Sequence, residues 1–116
     1  MELNILRADP AGNITVFVLD PVEKAQRAAI AEKIMAIPEL KAEQVGYACA
    51  AEDDVDGHME MMGGEFCGNA TRAYGMYIAQ QKGGLSSVRL RVSGCDHAVT
   101  AQVDLRSGTA RAVRAA

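Results

Sequence analysis

Aromatic residues are scarce in this chain of 116 residues: tryptophan is absent, and there are only two phenylalanines and three tyrosines. A core built without them must come from small and branched aliphatic side chains, and 20 of the residues are alanine. Positive charge is in deficit too, with 12 lysines and arginines against 15 acidic residues and a formal charge of −3. No nucleic-acid partner is expected, because such modules carry a basic face or stripe. Long apolar runs are missing as well. The longest stretch free of Asp, Glu, Lys and Arg is Pro10–Leu19, ten residues, about half of what a membrane helix needs. Neither a membrane span nor a leader is expected, since Glu2, Arg7 and Asp9 interrupt the first ten residues. The three cysteines (Cys49, Cys67 and Cys95) are an odd number without C-x-x-C spacing. That pattern argues for free thiols in a reducing cytoplasm rather than a disulfide framework.

What is present suffices for one domain. Leu3–Arg7 and Ile14–Leu19 read as strands, the second rich in β-branched residues, around the turn Asp9-Pro10-Ala11-Gly12-Asn13. Asp20-Pro21-Val22-Glu23 predicts a helix start capped by Asp20, with Pro21 in the first turn. Val22, Gln26, Ile30, Ile34 and Ile37 follow at helical spacing, and Pro38 ends the helix. Gln44–Ala51 and His58–Met62 are expected as strands about an exposed acidic turn at 52–57. A second helix is expected over 68–82, bracketed by Gly63-Gly64 and Gly83-Gly84. It is apolar almost all the way round, which marks a buried helix. Val88–Val92, Val99–Leu105 and Thr109–Val113 read as strands, the first two with a period of two. The expected fold class is α+β: a curved mixed or antiparallel sheet wrapped around the second helix, with the first helix outside.

The chemistry concentrates in Gly63-Gly64-Glu65-Phe66-Cys67-Gly68-Asn69-Ala70-Thr71-Arg72, where a cysteine opens the buried helix after a glycine turn. Helix starts carry unpaired N–H groups and partial positive charge. Both favour a thiolate, and the same N–H groups can hold a carboxylate. Gly68 would let a ligand approach the backbone closely. On residue type alone, a cysteine at this place is more often a small buried hydrophobe than a nucleophile, and Gly12-Asn13 reads better as a pair of turn residues. Cys49 reads as strand core and Cys95 as a turn residue. His58 and His97 share no metal-ligand spacing with a cysteine, so no metal site is expected. The late arginines Arg89, Arg91, Arg106, Arg111 and Arg114 read as a solvated sheet face.

Two pieces in this order, Gly12-Asn13-Ile14-Thr15-Val16 and Cys67-Gly68-Asn69-Ala70-Thr71-Arg72, with Glu43-Gln44-Val45 between them, resemble the diaminopimelate epimerase-like superfamily of pyridoxal-independent racemases and epimerases. That resemblance implies a half-barrel fold and a site in a cleft between two similar halves, each giving one cysteine. One thiolate takes the α-proton of an amino acid and the opposite thiol returns a proton to the other face, with no cofactor. Carried over, Cys67 would be one of the two acid/base residues. Gly68 and Asn69 would hold the substrate carboxylate through their backbone, and Asn13 and Gln44 would bind its polar parts. Glu60 lies nearest the place of a further substrate-binding Asn. By residue type, Glu60 and Glu65 read either as solvated carboxylates or as selecting a cationic side chain such as that of histidine or lysine. Where the family has Gly-Asn-Asp-Phe and Cys-Gly-Asn-Gly-Ala, this chain has Gly12-Asn13-Ile14-Thr15 and Cys67-Gly68-Asn69-Ala70-Thr71, departures that bear on the substrate.

The resemblance covers the N-terminal half only, so residues 1–116 are expected as a single domain without a complete two-base site. Its partners would be a small amino-acid substrate and either a C-terminal half-domain or a second copy in a homodimer. Two other readings stay open: an isomerase of unsaturated carboxylic acids on the same fold, and a non-enzymatic half-domain that binds a carboxylate or self-associates.

Overall fold

The computed structural model of the protein describes residues 3–9, 13–104 and 109–114, the last six as backbone only. Their strands are β1 (Ile5–Ala8), β2 (Thr15–Val18), β3 (Gln44–Cys49), β4 (Gly57–Met61), β5 (Ser87–Val92), β6 (Val99–Asp104) and β7 (Thr109–Arg114), and their helices are α1 (Lys24–Met35) and α2 (Gly68–Gln81). The strands form one mixed sheet in chain order. Pairs β2–β3 and β4–β5 are parallel and the rest antiparallel. A parallel pair needs a long crossover. Helix α1 supplies the first and α2 the second, so the fold is α+β as expected. Among the described residues, no helix is long and apolar enough to cross a membrane.

The helices lie on opposite faces of the sheet, and strand β2 shows why it is buried throughout. Val16 and Val18 pack with Ile30, Ala31 and Ile34 of α1 and with Val45 and Tyr47. Phe17 turns the other way, into the larger cluster of Met59, Met61, Ala70, Tyr74, Ala79, Val88, Leu90, Val92, Val99, Ala101 and Val103 around α2. Strand alternation thus sorts one run of β-branched residues onto two helices. The scarcity of large side chains has a counterpart in how closely the layers approach. A Cβ on Gly75 of α2 would stand 2.7 Å from the Ala101 Cβ, so glycine facing alanine sets the helix directly on the sheet.

Three local expectations are corrected. Helix α1 starts at Lys24, with Glu23 at its N-cap and no side-chain cap bond. Asp20 is engaged elsewhere: its carboxylate accepts from Asn4 N at 2.7 Å and from Asn4 Nδ2 at 3.1 Å, which ties the β1 entry to the β2 exit. Those Asn4 bonds also hold the Asp20 carboxyl below its ordinary range. Ile37 lies beyond the helix and is exposed. Cys49 is half-buried on the α1 face, where it meets Arg27, instead of sitting in the core. The turn at Arg106-Ser107-Gly108 lies outside the described residues, as does Gly12.

Candidate active site

Cys67 occupies the N-cap of the central helix α2 with extended backbone, φ −131° and ψ 113°. Such a residue aims its side chain back at the open end of the helix, and a hydrogen bond from the third residue is the usual result. Here Ala70 N donates to Cys67 Sγ at 3.5 Å. The Cys67 carbonyl accepts from Thr71 N at 2.9 Å and from Thr71 Oγ1 at 2.8 Å. Thr71 is fully buried, so this anchor is fixed by packing. With Ala70 and Thr71 turned to Cys67, the N–H groups of Gly68 and Asn69 are those the helix start leaves over.

A second donor reaches the sulfur from the sheet. Thr15 of β2 and Gln44 of β3 are register partners in the parallel pair. Gln44 Nε2 donates to Thr15 Oγ1 at 2.8 Å and to Cys67 Sγ at 3.1 Å. The amide nitrogen has two hydrogens and uses one on each acceptor. Thr15 is fully buried, so it holds the amide in the rotamer that points an N–H at the sulfur. Two donors, one from the helix and one from the sheet, thus converge on Sγ. The thiol itself is half-buried and unpaired in any disulfide.

The remaining residues singled out in the sequence are placed unequally. Asn13 is half-buried two residues before Thr15, the first residue of β2, at the strand end whose Thr15 and Gln44 are bonded toward Cys67. The Asn69 side chain accepts from Arg72 Nη2 within the first helical turn. A Cβ on Gly68 would meet Arg72 Nη1 at 3.6 Å and the Phe66 ring at 3.9 Å, ordinary contacts. Glu65 is exposed and accepts from Gly63 N at 3.2 Å. Glu60 is not brought to Cys67. It alternates with Met59 and Met61, which point into the α2 cluster, and pairs with Arg27 of α1 on the opposite face. Hydrogen bonding from Arg27 holds the Glu60 carboxyl below the ordinary carboxylate range.

Two positioning residues escape a reading of motifs. Ser93 Oγ donates to the Glu65 carbonyl at 2.7 Å and accepts from Met61 N at 2.8 Å. Next to it Gly94 has φ +78°, and a Cβ there would fall 2.3 Å from Phe66 N. The Ser93-Gly94 turn therefore clamps the segment that delivers Cys67. In sequence, Ser-Gly signals only a turn; what the turn presses against is set by the sheet.

Comparison with known proteins gives the context of this helix start. Residues 2–113 match the family model described as the histidine racemase CntK N-terminal domain. A histidine racemase of Fusobacterium nucleatum subsp. nucleatum is 42% identical over 79 residues, 66% of this chain and 27% of that protein. A histidine racemase of Staphylococcus aureus is 36% identical over 95 residues, 78% of this chain and 34% of that protein. The chain thus spans about a third of the length of these relatives. With the match running nearly end to end, the chain belongs to the histidine racemase CntK N-terminal domain family.

Proposed function

We propose that this chain is the N-terminal half of a pyridoxal-independent histidine racemase of the diaminopimelate epimerase-like kind, with Cys67 as one of its two thiol acid/base groups. The observation that carries the proposal is the donor pair on Cys67 Sγ, from Ala70 N and Gln44 Nε2, at the open start of the central helix. Family membership supports histidine as substrate. The Cys67 thiolate takes the proton from the substrate α-carbon and becomes a thiol. A thiol from the second half then delivers a proton to the opposite face and becomes the thiolate. The net change is inversion at that carbon with no atom gained or lost. The leftover N–H groups of Gly68 and Asn69 take the substrate carboxylate, while Asn13 and Gln44 take its polar groups. The carbanionic charge is met by fixed dipoles arranged before the reaction. Unpaired cysteines support a cytoplasmic setting.

The test is α-proton exchange of L-histidine in deuterated water by the full-length protein, against a panel of other amino acids and unsaturated acids. Exchange with histidine that requires Cys67 is the expected result. Exchange confined to unsaturated acids, or none that depends on Cys67, overturns the proposal.

A further inference from the structure

The opposite face of the sheet carries a second cluster that the racemase chemistry does not use. Cys49 at the end of β3 is the register partner of His58 in β4. Glu60 lies two residues further along β4 and so shares the face of His58. One ligand atom from each of Cys49, His58 and Glu60 lies within 4.8 Å of the others. We propose that these three residues form a binding site for a borderline-soft divalent cation of the zinc type, separate from Cys67.

The donor set points to the class of ion. Mixed thiolate, imidazole and carboxylate ligation suits zinc and its neighbours and does not suit magnesium or calcium, which take oxygen. Metal–sulfur bonds of about 2.3 Å and metal–nitrogen or –oxygen bonds of about 2.0–2.1 Å place tetrahedral ligands roughly 3.3–3.7 Å apart. His58 Nε2 and Glu60 Oε2 are already at 3.5 Å, so the sulfur has only to draw in by about an ångström. Two paired strands supply all three ligands, and such a base is stiffer than a loop.

Surrounding groups favour the same arrangement. His58 Nδ1 faces Glu52 Oε1 at 3.3 Å. A carboxylate beside the far ring nitrogen is the arrangement of carboxylate–histidine–zinc sites, in which Nε2 is the nitrogen left for the metal. Arg27 holds the other oxygen, Glu60 Oε1, and Arg27 Nη2 stands 3.7 Å from Cys49 Sγ. Its Nε is buried without a hydrogen-bond partner, so the guanidinium fits this cluster only in part. A bound ion takes over the Nη2 place beside the sulfur and leaves Arg27 on Oε1. Cys49 gives its thiol proton to solvent as the metal–sulfur bond forms. A cavity of about 420 Å³ lined by Cys49, Arg27, Ala50, Leu19, Pro21 and Val22 opens onto the sulfur side of the cluster.

The test is a cobalt(II) titration of the full-length protein, read by thiolate-to-cobalt charge-transfer absorption, followed by displacement with zinc(II). One equivalent of cobalt should give the thiolate band. Cys49→Ala and His58→Gln should each remove that equivalent, and Cys67→Ala should keep it. Glu52→Gln, which leaves the ligands intact, should weaken binding by about tenfold. Far-ultraviolet dichroism identifies any variant that fails to fold, and His58→Gln then decides alone. No thiolate band in the native protein, or an unchanged band in a folded Cys49→Ala or His58→Gln variant, overturns the proposal. Neither outcome bears on histidine exchange, so this inference and the proposed activity stand or fall separately.

Discussion

At the scale of single residues, Cys67 combines two tasks that one substitution can separate. Its sulfur caps α2 and, as proposed, moves a proton. Serine is among the best N-cap residues, so Cys67→Ser keeps the cap while removing the thiol. The expected outcome is a melting temperature within a few degrees of the native one and a loss of histidine α-proton exchange of at least about a hundredfold. A large fall in stability with exchange retained would mean that the cysteine is structural. The motif made Cys67, Gly68 and Asn69 legible, because a Cys-Gly-Asn helix start is local. Gln44 was legible through its place after Glu43 at a strand start, yet its bond to the sulfur depends on β2 and β3 pairing in parallel, a long-range event. Glu60 shows the reverse case. Its neighbourhood to the glycine turn in sequence says nothing about the face it takes, and alternation with buried Met59 and Met61 sends it away from Cys67. The pairing of Cys49 with His58 escaped for the same reason: strand register, not spacing, brings them together.

At the scale of elements, α2 is legible because it is apolar all round and bracketed by glycine pairs, and its observed span Gly68–Gln81 falls within a residue of the expected one. Helix α1 is less so, since Asp20-Pro21 reads as a cap by composition while Asn4 captures the Asp20 carboxylate from a neighbouring strand. Close packing of α2 leads to a prediction. Alanine is the better helix former by about 1 kcal/mol, yet Gly75→Ala puts a Cβ 2.7 Å from that of Ala101. Overpacking of this kind costs roughly 1–3 kcal/mol, so the net change should be destabilising. Adding Ala101→Gly restores the room, and the double variant should regain much of the lost urea midpoint. Without that recovery, the helix and sheet are not in the contact described. The Ser93-Gly94 clamp is tested in the same way. Gly94→Ala combines positive φ with a Cβ 2.3 Å from Phe66 N. It should cost about 1–3 kcal/mol and, by shifting Phe66, lower histidine exchange more than Gly75→Ala does.

At the scale of the whole molecule, the class of fold follows from the order of periodicities, strand–strand–helix twice over and then a strand meander, but the order of strands does not. Each helix lies between two strands that end up parallel neighbours, so the sheet keeps chain order, and the two helices pack on opposite faces, which buries β2 on both sides. A titratable group on each face of the sheet gives the fold a response to pH. On the acid side, Arg27 hydrogen-bonded to Glu60 lowers the folded-state pKa of the carboxyl. Its contribution is present above the ordinary carboxylate pKa and is lost as pH falls through the lowered one. On the alkaline side, burial of Tyr74 between α2 and the sheet pushes its hydroxyl from 10.0 up to about 12. A raised pKa contributes nothing to a pH dependence below 10, where both states are protonated. Between 10 and about 12 the unfolded chain ionises and the folded one does not, and stability falls by up to about 3 kcal/mol. Urea midpoints measured across pH should therefore form a plateau with two limbs. Glu60→Gln should lessen the acid limb, to which Asp20 also contributes, and leave the alkaline one. Tyr74→Phe should lessen the alkaline limb alone, with Tyr47 and Cys49, also raised by burial, carrying the rest. If Tyr74→Phe leaves the alkaline fall unchanged, then burial of that hydroxyl is not its cause, and the packing of α2 onto β2 through Phe17 and Tyr74, with ring centroids 5.4 Å apart, would have to be looser than the structure describes.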